Sequence, residues 1–259
     1  MIGRAGKYLL LIVIFAIMTF PLFWMFVLSL QKPDGGWGIG NFQYIFSGNR
    51  FGLYLFNSLF VAAAVTLGNI LFCFMCGYAL ARRKIPGARH WMLSVLIVLM
   101  VPVHIVIIPL YILMNRLGLF DTYWALILPW LVNPIGVFLI RQYIRALPVS
   151  LEEAARIDGA GEITILFKIV MPLCRPALAI LAIQVFMTNW NSFLFPFILT
   201  SSEELRTLPV ALALLLGYQA IDWPQLMAGS VVAVIPVLAV FLAFQRQIIA
   251  GLTAGAVKQ

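Results

Sequence analysis

The sequence predicts an all-α integral membrane protein with six transmembrane helices, and two observations lead to that prediction. Of the 259 residues, 63% are hydrophobic and only 10% are charged, whereas charged residues make up roughly a quarter of a soluble globular domain. The charged residues also leave six long stretches free of Asp, Glu, Lys and Arg. Each stretch is close to the roughly 20 residues that a helix needs to cross the hydrocarbon core, where only self-satisfied hydrogen-bonded structures survive.

These six stretches are the predicted membrane helices of a single domain, 1–259. They cover residues 8–30, 55–81, 91–114, 123–140, 177–199 and 227–244. The first stretch is longer than the apolar region of a secretory signal, and no small-residue cleavage site follows it, so it is predicted to remain as a helix. The apolar run within 205–221 is too short to span a bilayer and is predicted to be an amphipathic or re-entrant element on the outer face.

Lys and Arg set the predicted orientation, because loops rich in these residues stay in the cytoplasm. With a cytoplasmic N-terminus, 13 of the 17 basic residues lie inside and the other 4 lie outside. We therefore expect a multi-pass protein of the cytoplasmic (inner) membrane with both termini inside, a cytoplasmic loop at 141–176, a periplasmic loop at 200–226 and a cytoplasmic tail at 245–259. This topology explains the net charge of +8, so no nucleic-acid partner is expected.

The predicted helices contain no Asp, Glu, Lys or Arg. Ion-coupled transporters usually keep such groups at mid-membrane, although each costs about 2.5 to 3.5 kcal/mol there. The sequence also lacks a G-x-x-x-x-G-K phosphate loop and any metal or acid–base cluster. We therefore expect no catalytic, cofactor-binding or metal site in this chain, and energy supplied by a partner. The alternatives are a self-sufficient channel or secondary transporter, and an integral-membrane enzyme.

The loop 141–176 is predicted to form a helix, a sharp turn and a second helix. Ser150 and Glu153 have the spacing of a capping box, which would start the first helix near residue 151. Gly159 follows Asp158 and would end this helix, because glycine adopts the left-handed conformation at little cost. The second helix is predicted from about residue 162 toward 171, where prolines punctuate the entry into the fifth membrane helix.

One face of the first loop helix is predicted to dock onto another protein. Leu151, Ala154, Ala155 and Asp158 share this face at helical spacing, and the alanines at its centre keep it shallow. The loop carries five basic and four acidic residues, unlike the basic clusters that favour a lipid surface. An amphipathic helix resting on the bilayer is the alternative interpretation.

The spacing of this loop is that of a known motif. Glu153-Ala154-Ala155, Gly159, Ile169 and Pro172 resemble the EAA loop of binding-protein-dependent ABC importer permeases, whose pattern is EAA, three residues, G, nine residues and I-x-L-P. Met171 replaces the usual leucine, which is a mild change. The segment EAARIDGA and the tail from Gly251 to Lys258 are more specifically similar to carbohydrate permeases of the maltose-type second-permease kind, which have the type I ABC importer transmembrane fold.

The resemblance implies that the first loop helix is a coupling helix seated in a groove of a separate ATP-hydrolysing subunit. The implied coupling residues are Glu153, Ala154, Ala155, Asp158, Gly159, Ala160, Ile169 and Pro172. The implied tail residues, which would reach toward the ATPase dimer, are Gly251, Thr253, Gly255 and Lys258. The resemblance also implies a second, different permease subunit, two ATP-binding subunits that hold ATP and Mg, and an extracytoplasmic solute-binding protein.

The fifth predicted helix has the richest polar and aromatic content and is the candidate solute path. Amides and hydroxyls beside aromatic rings suit a sugar, although the same residues could simply pack against neighbouring helices. The candidates are Gln184, Thr188, Asn189, Trp190 and Asn191, with Asn57, Asn69 and His104 as weaker ones. A related polyol or glycerol-phosphate solute is the alternative to a sugar, and the main site could lie in the second permease.

Overall fold

The computed structural model describes residues 4–32, 35–47, 50–215 and 222–256, and these residues are almost entirely helical. Within those ranges there is no β-strand beyond one isolated bridge between Gln31 and Trp37. The helices are α1 (Arg4–Ser29), α2 (Gly40–Ser47), α3 (Phe51–Arg82), α4 (Ala88–Met100), α5 (Ile107–Arg116), α6 (Tyr123–Ile127), α7 (Pro134–Ala146), α8 (Ser150–Ile157), α9 (Glu162–Thr164), α10 (Met171–Leu173), α11 (Arg175–Trp190), α12 (Leu194–Leu199), α13 (Leu208–Leu214) and α14 (Trp223–Ala256). A π-helical turn, Ile165–Val170, joins α9 to α10.

Three helices are each long and apolar enough to cross a membrane, namely α1, α3 and the Trp223–Gln245 part of α14. Three more spans arise if two helices joined at a sharp bend count as one. These bent pairs are Ala88–Met100 with Val103–Arg116, Tyr123–Trp130 with Pro134–Ala146, and Glu162–Leu173 with Arg175–Trp190. The predicted all-helical membrane fold is therefore confirmed, with three clear spans and up to six when the bent pairs are included.

The third predicted helix, 91–114, is not continuous. It ends at Met100 and resumes after Pro102 as a 3₁₀ turn followed by α5, and its two halves meet at 90°. Proline has no N–H for the helical ladder, and its ring clashes with the carbonyl four residues earlier. The bend therefore follows from Pro102, which composition alone could not distinguish from a straight apolar span.

The fifth predicted helix, 177–199, also differs from the prediction. Here α11 ends at Trp190 and α12 begins at Leu194. Pro196 cannot donate to the carbonyl of residue 192, and the loss of this hydrogen bond favours a break in the segment. The other half of the bent pair lies on the N-terminal side of α11, because the run Glu162–Leu173 meets α11 at 77°.

The fourth predicted helix, 123–140, is bent by 40° and continues to Ala146. Side chains satisfy the backbone at the bend. Asn133 caps α7, its side-chain oxygen accepting from the Ile135 N–H at 2.9 Å. The Nδ2 of Asn69, on α3, donates to the Trp130 carbonyl at 2.6 Å. Such internal partners are required because hydrocarbon offers none.

The centre of the bundle is α3, which packs against α7 and α11. Two glycines allow the close approach. A Cβ on Gly77 would lie 2.8 Å from Ile140 Cγ2 and 3.0 Å from the Arg141 nitrogen, and a Cβ on Gly136 would lie 2.7 Å from a Leu181 methyl carbon. We call the end of the bundle near α8 the cytoplasmic end and the opposite end the outer end, following the predicted orientation.

The outer end is closed by the segment that follows α12. Within the run 205–221, α13 has seven residues, which is too short to span a membrane, and residues 216–221 lie outside the described part of the chain. The segment is fastened to α3, where Ser58 Oγ accepts from the Leu208 N–H at 2.7 Å. Arg50 also forms an exposed ion pair with Glu204.

The close contact at Gly77 can be tested by adding volume there. We expect Gly77→Val to lower the free energy of unfolding by about 1 to 3 kcal/mol, because the added carbons must displace Ile140 or the α7 backbone. Gly52→Val is the matched control on the same helix, since nothing lies within 4 Å of its Cβ position. Thermal unfolding of the two purified variants in detergent measures the difference, and equal melting temperatures would contradict the packing described here.

Candidate functional site

The loop at the cytoplasmic end has the predicted helix, turn and helix. The first helix, α8, is followed by Asp158 and then by Gly159 at a φ of +83°. The turn closes with hydrogen bonds from the Gly159 N–H to the Arg156 carbonyl at 3.1 Å and from the Ala160 N–H to the Ala155 carbonyl at 2.9 Å. The left-handed conformation predicted for Gly159 is therefore present, and it favours glycine at this position.

The predicted capping box does not form in this loop. The N-cap of α8 is Val149, and Ser150 is already inside the helix. The N–H groups of Glu152 and Glu153 instead hydrogen-bond to the Val149 carbonyl, at 2.9 and 3.1 Å. Because the helix starts one residue earlier than the pattern suggested, the hydroxyl of Ser150 is no longer at the capping position, and Glu153 is free to point away from the bundle.

Two adjacent glutamates of α8 have opposite environments. Glu152 is buried, and its Oε1 lies 2.6 Å from the Nε of Arg82, the last residue of α3; the two side chains are 3% and 9% exposed. Tyr78 donates its hydroxyl to Glu152 Oε2 at 3.1 Å, and Arg82 also donates to the Leu147 carbonyl at 2.8 Å. Glu153, in contrast, is exposed. Sequence periodicity gave no signal for this buried pair.

The face predicted for docking is only partly exposed. Leu151, Ala154 and Asp158 are exposed, whereas Ala155 is buried in the core together with Ile165. The side chain of Glu152 is buried against the bundle. In this orientation of α8, residues 152 and 155, which lie about one turn apart, both face inward. Three of the four residues of the predicted face are therefore exposed, and Ala155 faces the core instead.

The exposed side of the loop also carries two solvent-exposed isoleucines and both acidic and basic side chains. Ile157 is 86% exposed and Ile163 is 76% exposed. Glu162 pairs with Arg83 at 2.6 Å and with Arg156 at 3.1 Å. The hydrogen bond from Arg156 lowers the pKa of Glu162, and the charges of Arg156 and Arg83 add to this effect.

The remaining predicted coupling residues lie in the second part of the loop. Ala160 and Ile169 pack, half-buried, against the core, and Pro172 lies within α10. Ala160 and Ile169 thus attach the second part of the loop to the core. Of the predicted tail, Gly251, Thr253 and Gly255 fall within the backbone of α14, and Lys258 lies outside the described residues.

The candidate solute residues are divided by the structure into exposed and buried groups. Thr188 and Asn191 are exposed, and Gln184 is half-buried. Asn189 lines a small recess together with Ser58, Ser192 and Thr207. Its Nδ2 donates to the Val185 carbonyl at 2.9 Å. Within the charge-free stretch 177–199, the exposed polar side chains of Thr188 and Asn191 are uncharged.

Trp190 and Asn57 have packing roles. Trp190 is buried and donates its indole N–H to the Ala233 carbonyl of α14 at 3.2 Å. Asn57 is fully buried; its Nδ2 donates to the Glu204 and Arg206 carbonyls, and its Oδ1 accepts from the Tyr123 hydroxyl at 2.6 Å. Asn57 therefore ties the outer segment to the bundle.

A second polar anchor at the outer end is Asp121. Its carboxylate accepts from the N–H of Ser201 at 2.9 Å, from the N–H of Ser202 at 3.0 Å and from the Ser202 hydroxyl at 2.9 Å. Partial burial raises the pKa of Asp121, but the hydrogen bonds from Ser202 and Ser201 outweigh it and hold the pKa below its usual value. Asp121 has a φ of 57°, a conformation that aspartate and asparagine tolerate.

A bundle of apolar helices with one short, partly exposed helix at one end is the architecture of a polytopic membrane protein. The chain matches the family described as the binding-protein-dependent transport system inner membrane component over residues 73–253. It belongs to that family, and so is an inner membrane component of a transport system.

Named relatives and a solved structure agree with this assignment. The arabinooligosaccharides transport system permease protein AraQ of Halalkalibacterium halodurans is 44% identical over 85% of this chain and 79% of its own length. The trehalose transport system permease protein SugB of Mycobacterium tuberculosis is 35% identical over 92% of each chain. A chain from the crystal structure of a bacterial ABC transporter involved in alginate import has a TM-score of 0.82 at 23% identity, covering 95% of this chain and 98% of that one. That structure shows the shared fold.

The contrast between the two glutamates of α8 gives a stability prediction. Glu152→Ala leaves the buried Arg82 guanidinium without its partner and should cost about 3 to 5 kcal/mol. Glu153→Ala removes an exposed side chain and should change the free energy of unfolding by less than about 0.5 kcal/mol. Thermal unfolding of both variants measures the difference in stability. A Glu153 variant as unstable as the Glu152 variant would contradict the orientation of α8.

The Asp121 anchor gives a pH prediction. Because its folded-state pKa is lowered, its stabilisation is present above the unfolded pKa of about 4 and is lost as the pH falls through the folded value. We expect hydrogen exchange of the Ser201 and Ser202 amides, corrected for intrinsic rates, to be about tenfold faster below the folded-state pKa of Asp121 than above about pH 4. Asp121→Asn is the control, since it retains an acceptor oxygen without a titration. A pH response that persists in Asp121→Asn would refute the assignment.

Proposed function

We propose that this chain is a permease subunit of an ATP-driven importer that moves a sugar or oligosaccharide across the inner membrane by alternating access. Its helix α8 docks on a separate ATP-hydrolysing subunit. The observation that carries this proposal is the division of α8 into an inner side, pinned to the bundle through Glu152 and Ala155, and an outer side that presents Glu153, Ala154 and Asp158.

The outer side of α8 has the properties of a protein-docking surface. Ala154 lets a partner approach the helix backbone closely, and the bare side chain of Ile157 loses its contact with water when a partner covers it. Glu153 makes no ion pair within the described residues and is available to a basic or hydrogen-bonding group of the partner. The negative charge of Glu162 is already paired with Arg83 and Arg156. Glu153 is therefore the acidic residue through which this surface would bind the partner.

The proposed complex contains four further proteins. Two ATP-binding subunits hold ATP and Mg and hydrolyse the nucleotide, so that this chain is a non-enzymatic subunit. A second, different permease completes the translocation path, and an extracytoplasmic binding protein delivers the solute. The excess of basic residues at the α8 end supports a cytoplasmic location for this end and for both termini.

The proposed solute is a carbohydrate. Two relatives are named for arabinooligosaccharide and trehalose transport, and the uncharged amides and hydroxyls exposed on α11 can hydrogen-bond sugar hydroxyls. A polyol or a glycerol phosphate is the alternative. The solute is identified by reconstituting the complete complex and measuring which candidate, delivered by its binding protein, stimulates ATP hydrolysis. Transport by this chain alone in vesicles would instead favour a self-sufficient transporter.

The turn after α8 gives a direct test of coupling. Gly159→Val should reduce ATP-driven uptake at least tenfold, because a β-branched residue does not tolerate the φ of +83° and α8 must shift. Asparagine tolerates this conformation, so Gly159→Asn should retain most of the uptake. No atom lies within 4 Å of a Cβ at this position, so the bundle itself should remain folded. Sugar uptake by proteoliposomes with equal amounts of complex measures the effect, and normal uptake by Gly159→Val refutes the role of the loop.

A further inference from the structure

The helix α8 is connected to α3 and to α11 in different ways. Toward α3, the connection is the buried ion pair of Glu152 with Arg82, reinforced by Tyr78 of the same helix. Arg82 also donates to the carbonyl of Leu147, which precedes α8. A single residue at the end of α3 therefore holds both the entry to α8 and its first turn.

The second part of the loop packs on the same helix. Phe167, in the π-helical turn, lies with its ring centroid 6.3 Å from that of Phe74 on α3. Ile165 and Val170 of this turn are buried in the core cluster that contains Phe74 and Tyr78. The loop thus contacts α3 at two places, through Glu152 of α8 and through Phe167 of the π-helical turn.

Toward α11, the connection along the chain is irregular. The π-helical turn Ile165–Val170 interrupts the α-helical hydrogen-bond pattern, and the chain then bends by 77° at Cys174. π-helical turns are rare and often occur at functional sites. A displacement of α8 can therefore change the angle at the bend without being transmitted rigidly into α11.

We propose that Glu152 and Arg82 form a positioning pair that transmits the movement of α8 to α3. This inference rests on the proposed function. An apolar contact in the same place would allow α8 to slide or rotate, whereas the paired carboxylate and guanidinium hold a defined geometry because each would otherwise be a buried, unpaired charge. Glu153 receives the force from the partner, and Glu152 passes it to the membrane helix.

The test measures the number of solute molecules transported per ATP hydrolysed by the complete complex in proteoliposomes. Glu152→Gln keeps the side-chain volume but removes the charge, and we expect this coupling ratio to fall at least fivefold while ATP hydrolysis continues. A purely stabilising role would instead lower uptake and hydrolysis together, in proportion to the amount of folded complex. Arg83→Gln is the control, because Arg83 is adjacent to Arg82 but its ion pair is exposed.

Charge reversal provides the second arm of the test. Glu152→Arg places a third basic group near Arg82 and Arg156, which lies 3.7 Å from Glu152, and should lose coupling. The double variant Glu152→Arg with Arg82→Glu should recover at least part of the ratio. A normal ratio in Glu152→Gln overturns the inference while leaving the proposed function intact. If the unmodified complex shows no solute-stimulated hydrolysis, the proposed function itself fails.

Discussion

The exclusion of charge from hydrocarbon governs the architecture of this protein. The basic and acidic residues all lie outside the six apolar stretches of the sequence, and a charge that is nevertheless buried must have a partner. Arg82, at the last position of α3, meets this requirement by pairing with Glu152. The pair fixes the rotation of α8, and that rotation decides which side chains of the loop the protein presents to its surroundings.

The same constraint explains how broken helices are tolerated inside the bundle. At the α6–α7 bend, Asn133 caps one helix and Asn69 satisfies a carbonyl of the other. At the outer end, Asn57 occupies its amide with the backbone of the segment after α12. Polar residues within apolar stretches thus serve first as backbone partners, because in hydrocarbon each unpaired group costs several kcal/mol.

The loop at the cytoplasmic end divides two tasks between neighbouring residues. Glu152 and Ala155 attach α8 to the bundle, whereas Glu153 and Ala154 remain on the surface. Gly159 allows the chain to reverse so that Ile165 and Val170 of the following helical run can pack into the core. The helix α8 is thus attached to the bundle on one side by a buried ion pair and is accessible on the other side.

The sequence by itself determined the class of the protein, because the spacing of charges along the chain reports the thickness of the membrane, and glycine at position 159 reports a left-handed turn. Only the tertiary structure decided which of the adjacent residues Glu152 and Glu153 is buried. Neighbouring positions on a helix differ by about 100° in direction, and the pattern of α8 alone admits either rotation. The choice depends on Arg82, which lies 70 residues away in sequence and meets Glu152 only in the folded chain.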